Sequence, residues 1–236
     1  MKISVCMATY NGEQYLRSQL DSILKQLSPE DELIISDDGS TDATIDIIKS
    51  YRDPRIRLLH SPHQNLIFNF ENALKEASGD VVFLSDQDDI WFDDKMEKYN
   101  RHFKKNLLVF SNAAMFYGED TSTFELFFKD SKKKTGLLNN LAKVKFLGAT
   151  LAFQRFVLDK ALPFPRNIPM HDIWIGLIAE TLGATHYIDE PLIYYRRHEN
   201  VASTTGAKSS NTLFTKLRIR TNLAISLCKR MWFTKT

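Results

Sequence analysis

Cysteine is nearly absent from this chain: Cys6 and Cys228 are its only two, and they lie far apart in sequence. They can build no disulfide framework and match no zinc-ligand spacing, which fits a reducing cytosol. Long apolar runs are missing too. Ile3 to Ala8 is too short for a signal-peptide core, and nothing reaches the ~18 consecutive apolar residues of a membrane span. The expectation is a chain that is neither secreted by the usual route nor threaded through a bilayer. No Gly-x-Gly-x-x-Gly follows the first apolar run and no Gly-x-x-x-x-Gly-Lys occurs, so a dinucleotide site fits poorly. No internal repeat is present. Net charge is only +2, and no nucleic-acid partner is expected. That charge is unevenly spread: from Val201 to Thr236 there are seven Lys/Arg and no Asp/Glu, so a net-acidic body carries a basic tail.

The 236 residues suit one domain with a sizeable core. Short apolar runs alternate with helical patterns. Strands are expected at Ile3 to Ala8, Leu33 to Ile35, Ile56 to Leu59, Val81 to Leu84 and Leu107 to Phe110. Helices between them place Leu16, Leu20, Ile23, Leu24 and Leu27, then Ile45, Ile48 and Tyr51, then Phe70, Ala73, Leu74 and Ala77, then Phe92, Met96, Tyr99 and Phe103, each set on one face. This alternation predicts an α/β fold with a mostly parallel central sheet covered on both faces. The pattern loosens after about Tyr117. Gly118 to Thr135, with Lys132-Lys133-Lys134, reads as a mobile loop or insertion. A helix over Leu137 to Val144, a strand over Thr150 to Phe153, a helix from Arg155, a helix over Asp172 to Thr181 and a late strand over Thr185 to Ile188 follow. Ser203 to Asn211 reads as a linker before a final helix, Leu213 to Trp232.

Three polar clusters fall at expected strand ends: Thr9-Tyr10-Asn11-Gly12, Ser36-Asp37-Asp38-Gly39-Ser40-Thr41-Asp42, and Ser85-Asp86-Gln87-Asp88-Asp89. In a parallel sheet, ligands bind beyond the carboxyl ends of the strands. Taken singly, Asp37-Asp38-Gly39 is a turn, and the third cluster is a solvated acidic turn capping a helix near Asp93. Together at one sheet edge they describe a ligand crevice. Three carboxylates in four residues repel one another, and residues two apart in an extended segment share a side, so Asp86 and Asp88 can converge on one cation. Mg²⁺-type sites commonly combine one or two carboxylates with substrate phosphates. The reading is a metal–diphosphate site.

These clusters, with Leu84 to Trp91, Gly148 to Phe153, His171-Asp172 and Tyr195-Arg196-Arg197-His198, resemble family 2 glycosyltransferases of the GT-A fold, over about Lys2 to Ser203. Within that family the chain is similar to bacterial rhamnosyl- and galactosyl-type enzymes of surface polysaccharide synthesis. The resemblance implies a GT-A domain over 1–203, split into a nucleotide-sugar-binding half (1–117) and an acceptor-side half (118–203), with a linker and basic amphipathic helix over 204–236. It implies that Thr9, Tyr10 and Asn11 border the donor and that Asp38 accepts a hydrogen bond from a uracil or thymine imide, with Asp37 beside it. Asp86-Gln87-Asp88 stands where the family has Asp-x-Asp: Asp88 as the main contact to Mn²⁺ or Mg²⁺, Asp86 near the ribose or the metal. The resemblance further implies that Asn69 faces the donor, that His198 reaches the metal or the diphosphate, and that Arg196 and Arg197 bind diphosphate oxygens.

The family's catalytic base is usually the Asp of a Glu-Asp pair, here His171-Asp172. Asp172 precedes an apolar-periodic helix, so on residues alone it reads equally as an N-cap. The implied function is inverting, metal-dependent transfer from a UDP- or dTDP-sugar to a lipid-linked or oligosaccharide acceptor, in the cytoplasm or peripherally on the inner membrane face. The final helix puts Leu217, Ala224, Cys228 and Met231 on one stripe among Lys and Arg. It either docks on its own domain or lies on an anionic membrane surface. Two other readings are a nucleotidyltransferase, whose basic Gly-rich loop Thr9-Tyr10-Asn11-Gly12 does not supply, and a non-catalytic glycan- or nucleotide-sugar-binding subunit, against which Asp88 together with Asp172 argues.

Overall fold

Strand-length apolar runs without alternation are buried on both faces, and the computed structural model, which describes residues 1–129, 135–142, 144–198 and 212–233, places three of them side by side with a half-exposed edge strand, Ile56–His60. These are β1 (Ile3–Thr9), β2 (Glu32–Asp37), β3 (Ile56–His60) and β4 (Val81–Ser85), all parallel in the order β3-β2-β1-β4. The register sets Thr9 beside Asp37, Asp37 beside His60 and Met7 beside Ser85, so the carboxyl ends are level. Alternate residues of β1 feed two cores. Val5 and Met7 pack on one face with α1 (Leu16–Leu24) and α2 (Thr44–Ser50), and Cys6 and Ala8 on the other with α3 (Leu66–Glu76). Burial pushes the Cys6 thiol well above its ordinary range, as a packing cysteine requires.

The sheet continues past β4. After β5 (Ile90–Trp91) and α4 (Lys95–Asn100) come β6 (Leu108–Tyr117), β7 (Glu125–Leu126), α5 (Leu137–Ala142), a 3-10 turn (Gly148–Thr150), β8 (Ala152–Gln154), α6 (Arg155–Ala161), α7 (His171–Leu182), β9 (Thr185–Arg197) and α8 (Leu213–Phe233). The full order is β3-β2-β1-β4-β8-β6-β9-β5, with β7 on β6. β8 lies antiparallel between β4 and β6, β9 runs parallel to β6, and β5 pairs antiparallel with β9. Parallel pairing therefore holds in the first half and at β6–β9, and short antiparallel strands join the halves into one sheet.

Two strands run beyond their expected ends. β9 continues from Ile188 through Pro191 to Arg197, because the register shift between Ser111 and Asn112 accommodates a residue that has no amide to donate. This extension carries Tyr195 to Arg197 back to the edge where the polar clusters lie. The residues expected as a loop after Tyr117 include β7, and Phe127 donates its amide to Ala113. Lys132 to Lys134, the expected linker and the proposed boundary near 203 lie outside the described residues. α8 docks on its own domain, but not by the expected stripe. Leu223 and Leu227 are buried and Ile219 packs beside them, while Leu217 is 62% exposed and Cys228 is exposed. Arg230 fastens the helix by donating to the carbonyls of Lys160 (2.9 Å), Leu162 (2.6 Å) and Pro163 (2.5 Å).

Candidate active site

The level carboxyl ends of β1, β2 and β4 open into a cleft of about 870 Å³, lined among others by Thr9, Tyr10, Asn11, Asp38, Asn69, Asp86, Gln87, Asp88, Tyr195 and His198. Nine of the expected site residues thus share one concavity. Asp37, Arg196, Arg197 and Asp172 do not line it.

Asp37 is a correction to the expected donor contact. Its carboxylate points into the turn that follows β2 and accepts from Thr9 Oγ1 (2.8 Å), Gly39 N (3.1 Å), Ser40 N (2.8 Å) and Ser40 Oγ (2.6 Å). Gly39 sits at φ +86, where a Cβ would be strained. Asp37 therefore builds the loop, and its neighbour Asp38 faces the cleft. Asp38 accepts amides from Gln64 (2.8 Å) and Asn65 (2.6 Å), which tie it to the N-terminus of α3, where Asn65 caps Ile67 and Phe68. Each carboxylate oxygen keeps a second lone pair for a ligand. Asn69 is almost fully buried. Its amide nitrogen donates to the Thr9 carbonyl (3.1 Å), and its Oδ1 has no partner among the described residues. Asn11 adopts φ +46, accepts from Thr41 N (2.9 Å) and donates its own amide to Ser40 Oγ (2.9 Å), closing the first two loops on each other.

Gln87 has a role that no residue-type argument exposed. Its Oε1 accepts from Tyr10 N (2.9 Å) and its Nε2 donates to Tyr10 O (3.0 Å), so it imitates a strand partner and clamps the first loop to the third. A Cβ on Gly12 would stand 2.4 Å from that Oε1, which is why the loop ends in glycine. Tyr10 itself is left 56% exposed, its ring a platform on the cleft wall.

The acidic loop divides its carboxylates. Asp88 Oδ2 lies 2.8 Å from His198 Nε2, across the gap between β4 and the end of β9. Asp89 is fully buried. Its Oδ1 accepts the Arg196 amide (3.0 Å), its Oδ2 has no partner among the described residues, and burial followed by the charges of Asp88 and Asp86 pushes its pKa well up. Asp86 is pushed up to about 7 by burial, then by Asp88 and Asp172, against the pull of Lys95. Arg196 is a second correction. It is 4% exposed, and its guanidinium donates to the carbonyls of Asp88 (2.9 Å) and Gly118 while lying over the rings of Tyr15 (4.3 Å) and Phe116 (4.5 Å). Those donors hold backbone and do not face the cleft. Arg197 lies on the opposite side of β9, 6.0 Å over the Tyr195 ring.

No trio of His, Cys, Asp or Glu among the described residues is arranged as a closed metal cage. The Asp88–His198 pair still fits a divalent ion held partly by its substrate. It offers an oxygen and an imidazole nitrogen on the cleft lining, beside an Asp86 whose pKa is raised by burial and then by neighbouring negative charge. Mg²⁺- and Mn²⁺-type sites with one or two protein carboxylates leave their remaining positions to water and phosphate.

Asp172 is not an N-cap. α7 begins one residue earlier, at His171, and its cap is Met170. Asp172 Oδ1 accepts from Ile173 N (2.7 Å), and the Gly148 backbone lies against this carboxylate. A Cβ on Gly148 would lie 3.4 Å from Asp172 Oδ2. Burial pushes the Asp172 pKa up to about 6, and neighbouring backbone amides hold it from going higher. His171, where the family has Glu, is buried and stacked on Phe70 at 4.0 Å; burial lowers its pKa to about 3, so the ring is neutral. Neither of its nitrogens has a partner among the described residues.

Two supporting residues escaped the sequence reading. Gln19, fully buried, donates to Ser85 Oγ (2.7 Å) and to the Asp86 carbonyl (3.0 Å). Lys95, fully buried, donates to the Ala149 carbonyl (3.1 Å). Each carried a signal: a polar residue beside Leu16, Leu20 and Ile23 on an apolar stripe, and a lysine one position before buried Met96.

The model of glycosyl transferase family 2 matches residues 4–162, more than half of the chain. The chain belongs to that family. Its relatives include the dTDP-rhamnosyl transferase RfbG of Shigella flexneri, 29% identical over 214 residues, which are 82% of this chain and 72% of RfbG. Another is the UDP-Glc:alpha-D-GlcNAc-diphosphoundecaprenol beta-1,3-glucosyltransferase WfgD of Escherichia coli, 27% identical over 75% of this chain and 70% of WfgD. Residues 1–349 of S. aureus TarS, solved with UDP-GlcNAc, superpose with a TM-score of 0.73 at 21% identity, covering 95% of this chain and 66% of that one. Glucosyl-3-phosphoglycerate synthase of Mycobacterium tuberculosis, solved with Mn²⁺, UDP and phosphoglyceric acid, superposes at 0.58 and 21% identity over 97% of this chain and 78% of that one. These likenesses give the chain the GT-A fold. The family membership makes it a glycosyltransferase, of a kind whose relatives act in bacterial polysaccharide synthesis.

Proposed function

We propose that this protein transfers a sugar from a UDP- or dTDP-sugar, with inversion and with the help of Mn²⁺ or Mg²⁺, to a lipid-linked glycan at the cytoplasmic face of the membrane. The observation that carries the reading is one juxtaposition. The Asp88–His198 pair lines the same cleft as Tyr10, Asp38 and Asn69, and the Asp172 charge, after burial and Asp88, helps raise the Asp86 pKa. Tyr10 offers a face to the base, Asp38 accepts from the base imide, and the unpartnered Asn69 Oδ1 accepts from the donor. Asp88 and His198 would hold the ion. Bound there, it would offset the negative charge growing on the departing diphosphate.

Asp172 acts as the base. A sugar hydroxyl is too weak an acid to ionise beforehand, so its proton passes to the Asp172 carboxylate while the new C–O bond forms. The bond from the anomeric carbon to the diphosphate breaks on the opposite face, which inverts the centre. RfbG as a dTDP-rhamnosyl and WfgD as a UDP-glucosyl enzyme support the two nucleotides, and the diphosphoundecaprenol substrate of WfgD supports a lipid-linked acceptor. The Mn²⁺ held by the mycobacterial synthase supports the ion.

The membrane face rests on α8. Phe214, Leu217, Ile225 and Trp232 remain exposed on a helix with five Lys/Arg and no Asp/Glu, the composition of a segment that lies on anionic lipid. Among the described residues no helix is long and apolar enough to cross a membrane. The test is release of nucleoside diphosphate from UDP-glucose and dTDP-rhamnose with Mn²⁺, with and without a prenyl-diphosphate sugar. Acceptor-stimulated release with inverted product supports the reading. Diphosphate binding without turnover would favour the binding subunit, and pyrophosphate release from a nucleoside triphosphate the nucleotidyltransferase.

A further inference from the structure

Lys95 is a buried cation that the mechanism above does not use. It is fully enclosed, 4.0 Å over the Trp91 ring, and its ammonium donates to the Ala149 carbonyl (3.1 Å). One turn further along α4, on the same face, Tyr99 is also fully buried, and its phenol donates to the Thr150 carbonyl (2.5 Å). Both carbonyls belong to the 3-10 turn Gly148–Thr150, the turn whose first residue packs against the Asp172 carboxylate. Two internal bonds tighten it, Thr150 N to Leu147 O (2.9 Å) and Leu151 N to Gly148 O (2.9 Å). Gly148 abuts both residues of the pair: a Cβ there would stand in ordinary contact, 3.4 Å from the Asp172 side chain and 3.5 Å from His171 Nε2.

A buried lysine is costly to fold around, and a methionine would fill the same space beside Met96 and Tyr99 more cheaply. Burial depresses the Lys95 pKa to about 7, against the pull of Asp89 and Asp86. The arrangement spends stability on a cation whose hydrogen bond, among the described residues, is to this turn.

We infer that Lys95 and Tyr99 are positioning residues: by fixing two successive carbonyls of the 3-10 turn they hold Gly148 against Asp172 and so set where that carboxylate meets the acceptor hydroxyl. This rests on the reading of Asp172 as base. A displacement of about 1 Å in a reacting group can cost on the order of a hundredfold in rate.

The experiment compares Tyr99→Phe, Lys95→Met and both together, each alone and combined with Asp172→Asn. Turnover is diphosphate release from UDP-glucose or dTDP-rhamnose with Mn²⁺, and binding is that of UDP or dTDP with Mn²⁺ by calorimetry. Tyr99→Phe removes one oxygen and keeps the ring, so it serves even if Lys95→Met fails to fold. The expected result is a kcat loss of about tenfold or more in each single variant, unchanged nucleotide and Mn²⁺ affinity, a double variant little worse than the worse single one, and no further loss when Tyr99→Phe is added to Asp172→Asn. Wild-type kcat in Tyr99→Phe would overturn the inference, as would an equal loss from Tyr99→Phe in the presence and absence of Asp172→Asn. Weakened Mn²⁺ binding by Lys95→Met alone would make Lys95 a counter-charge to the acidic loop instead. Full activity in Asp172→Asn would overturn the base assignment itself, a separate failure.

Discussion

As the proposed base, Asp172 would have to be ionised to take a proton, and burial pushes its pKa up to about 6. The rate should therefore fall as pH drops through about 6, measured as kcat at saturating donor, and level off above 7. Because this carboxyl titrates higher in the folded than in the unfolded chain, its ionised form opposes folding from about pH 4 upward. Asp172→Asn should accordingly keep donor binding, lose on the order of 10²–10⁴ in transfer, and show an equal or higher Tm at pH 8. Loss of nucleotide binding in step with activity would make Asp172 a structural residue. At this scale, residue type spoke clearly only where chemistry is costly. Asp88 stands out because carboxylates clustered at a strand end need a reason, and Asp172 only through the family resemblance, since on residues alone it reads equally as a helix cap. Asp37 and Arg196 were misjudged because an aspartate or an arginine serves a turn as readily as a ligand, and only the direction of the side chain separates the two.

Between β1 and β4, the Gln87 amide joins two loops that no backbone ladder connects. Gly12→Ala should displace that amide, raise donor KM severalfold and cost on the order of 1 kcal/mol of stability for the lost pair of hydrogen bonds. In a Gln87→Ala background the same substitution should be nearly silent, and a double-mutant cycle in donor KM reads the coupling. Additive effects would mean that the clamp is not what Gly12 protects. At the far end of the chain, Phe214→Ser with Trp232→Ser should abolish co-sedimentation with vesicles containing phosphatidylglycerol and leave diphosphate release from soluble donor intact. Retained co-sedimentation would remove the membrane role of α8. Helix and strand existence followed from apolar period, as the two continuous runs in β1 and β4 illustrate. The far half of β9 did not, because Pro191 and the charged residues around it read as a strand end, whereas pairing with β6 carries the strand through a bulge. Likewise the buried line of α8 is Ile219, Leu223 and Leu227, a choice made by the surfaces of α5 and α7 and not by the helix alone.

Across the whole molecule, parallel strands bring three loops from distant parts of the sequence to one edge, and the return of β9 adds His198 as the fourth side of the same cleft. The parallel half was legible because uninterrupted apolar strands need helices on both faces; the antiparallel insertion of β8 was not, because a three-residue strand has too little pattern to reveal its direction. A ligand that selects the folded state stabilises it by mass action. UDP or dTDP with Mn²⁺ should raise Tm by several degrees, and the same nucleotide with EDTA should raise it by much less. The most direct test of the account is diphosphate release from a nucleotide sugar by wild type and Asp88→Ala, with saturating donor and an added prenyl-linked sugar acceptor. The account predicts turnover that Mn²⁺ or Mg²⁺ supports, that EDTA removes and that Asp88→Ala lacks while remaining folded. Wild-type turnover by Asp88→Ala, or undiminished turnover in EDTA, would contradict it.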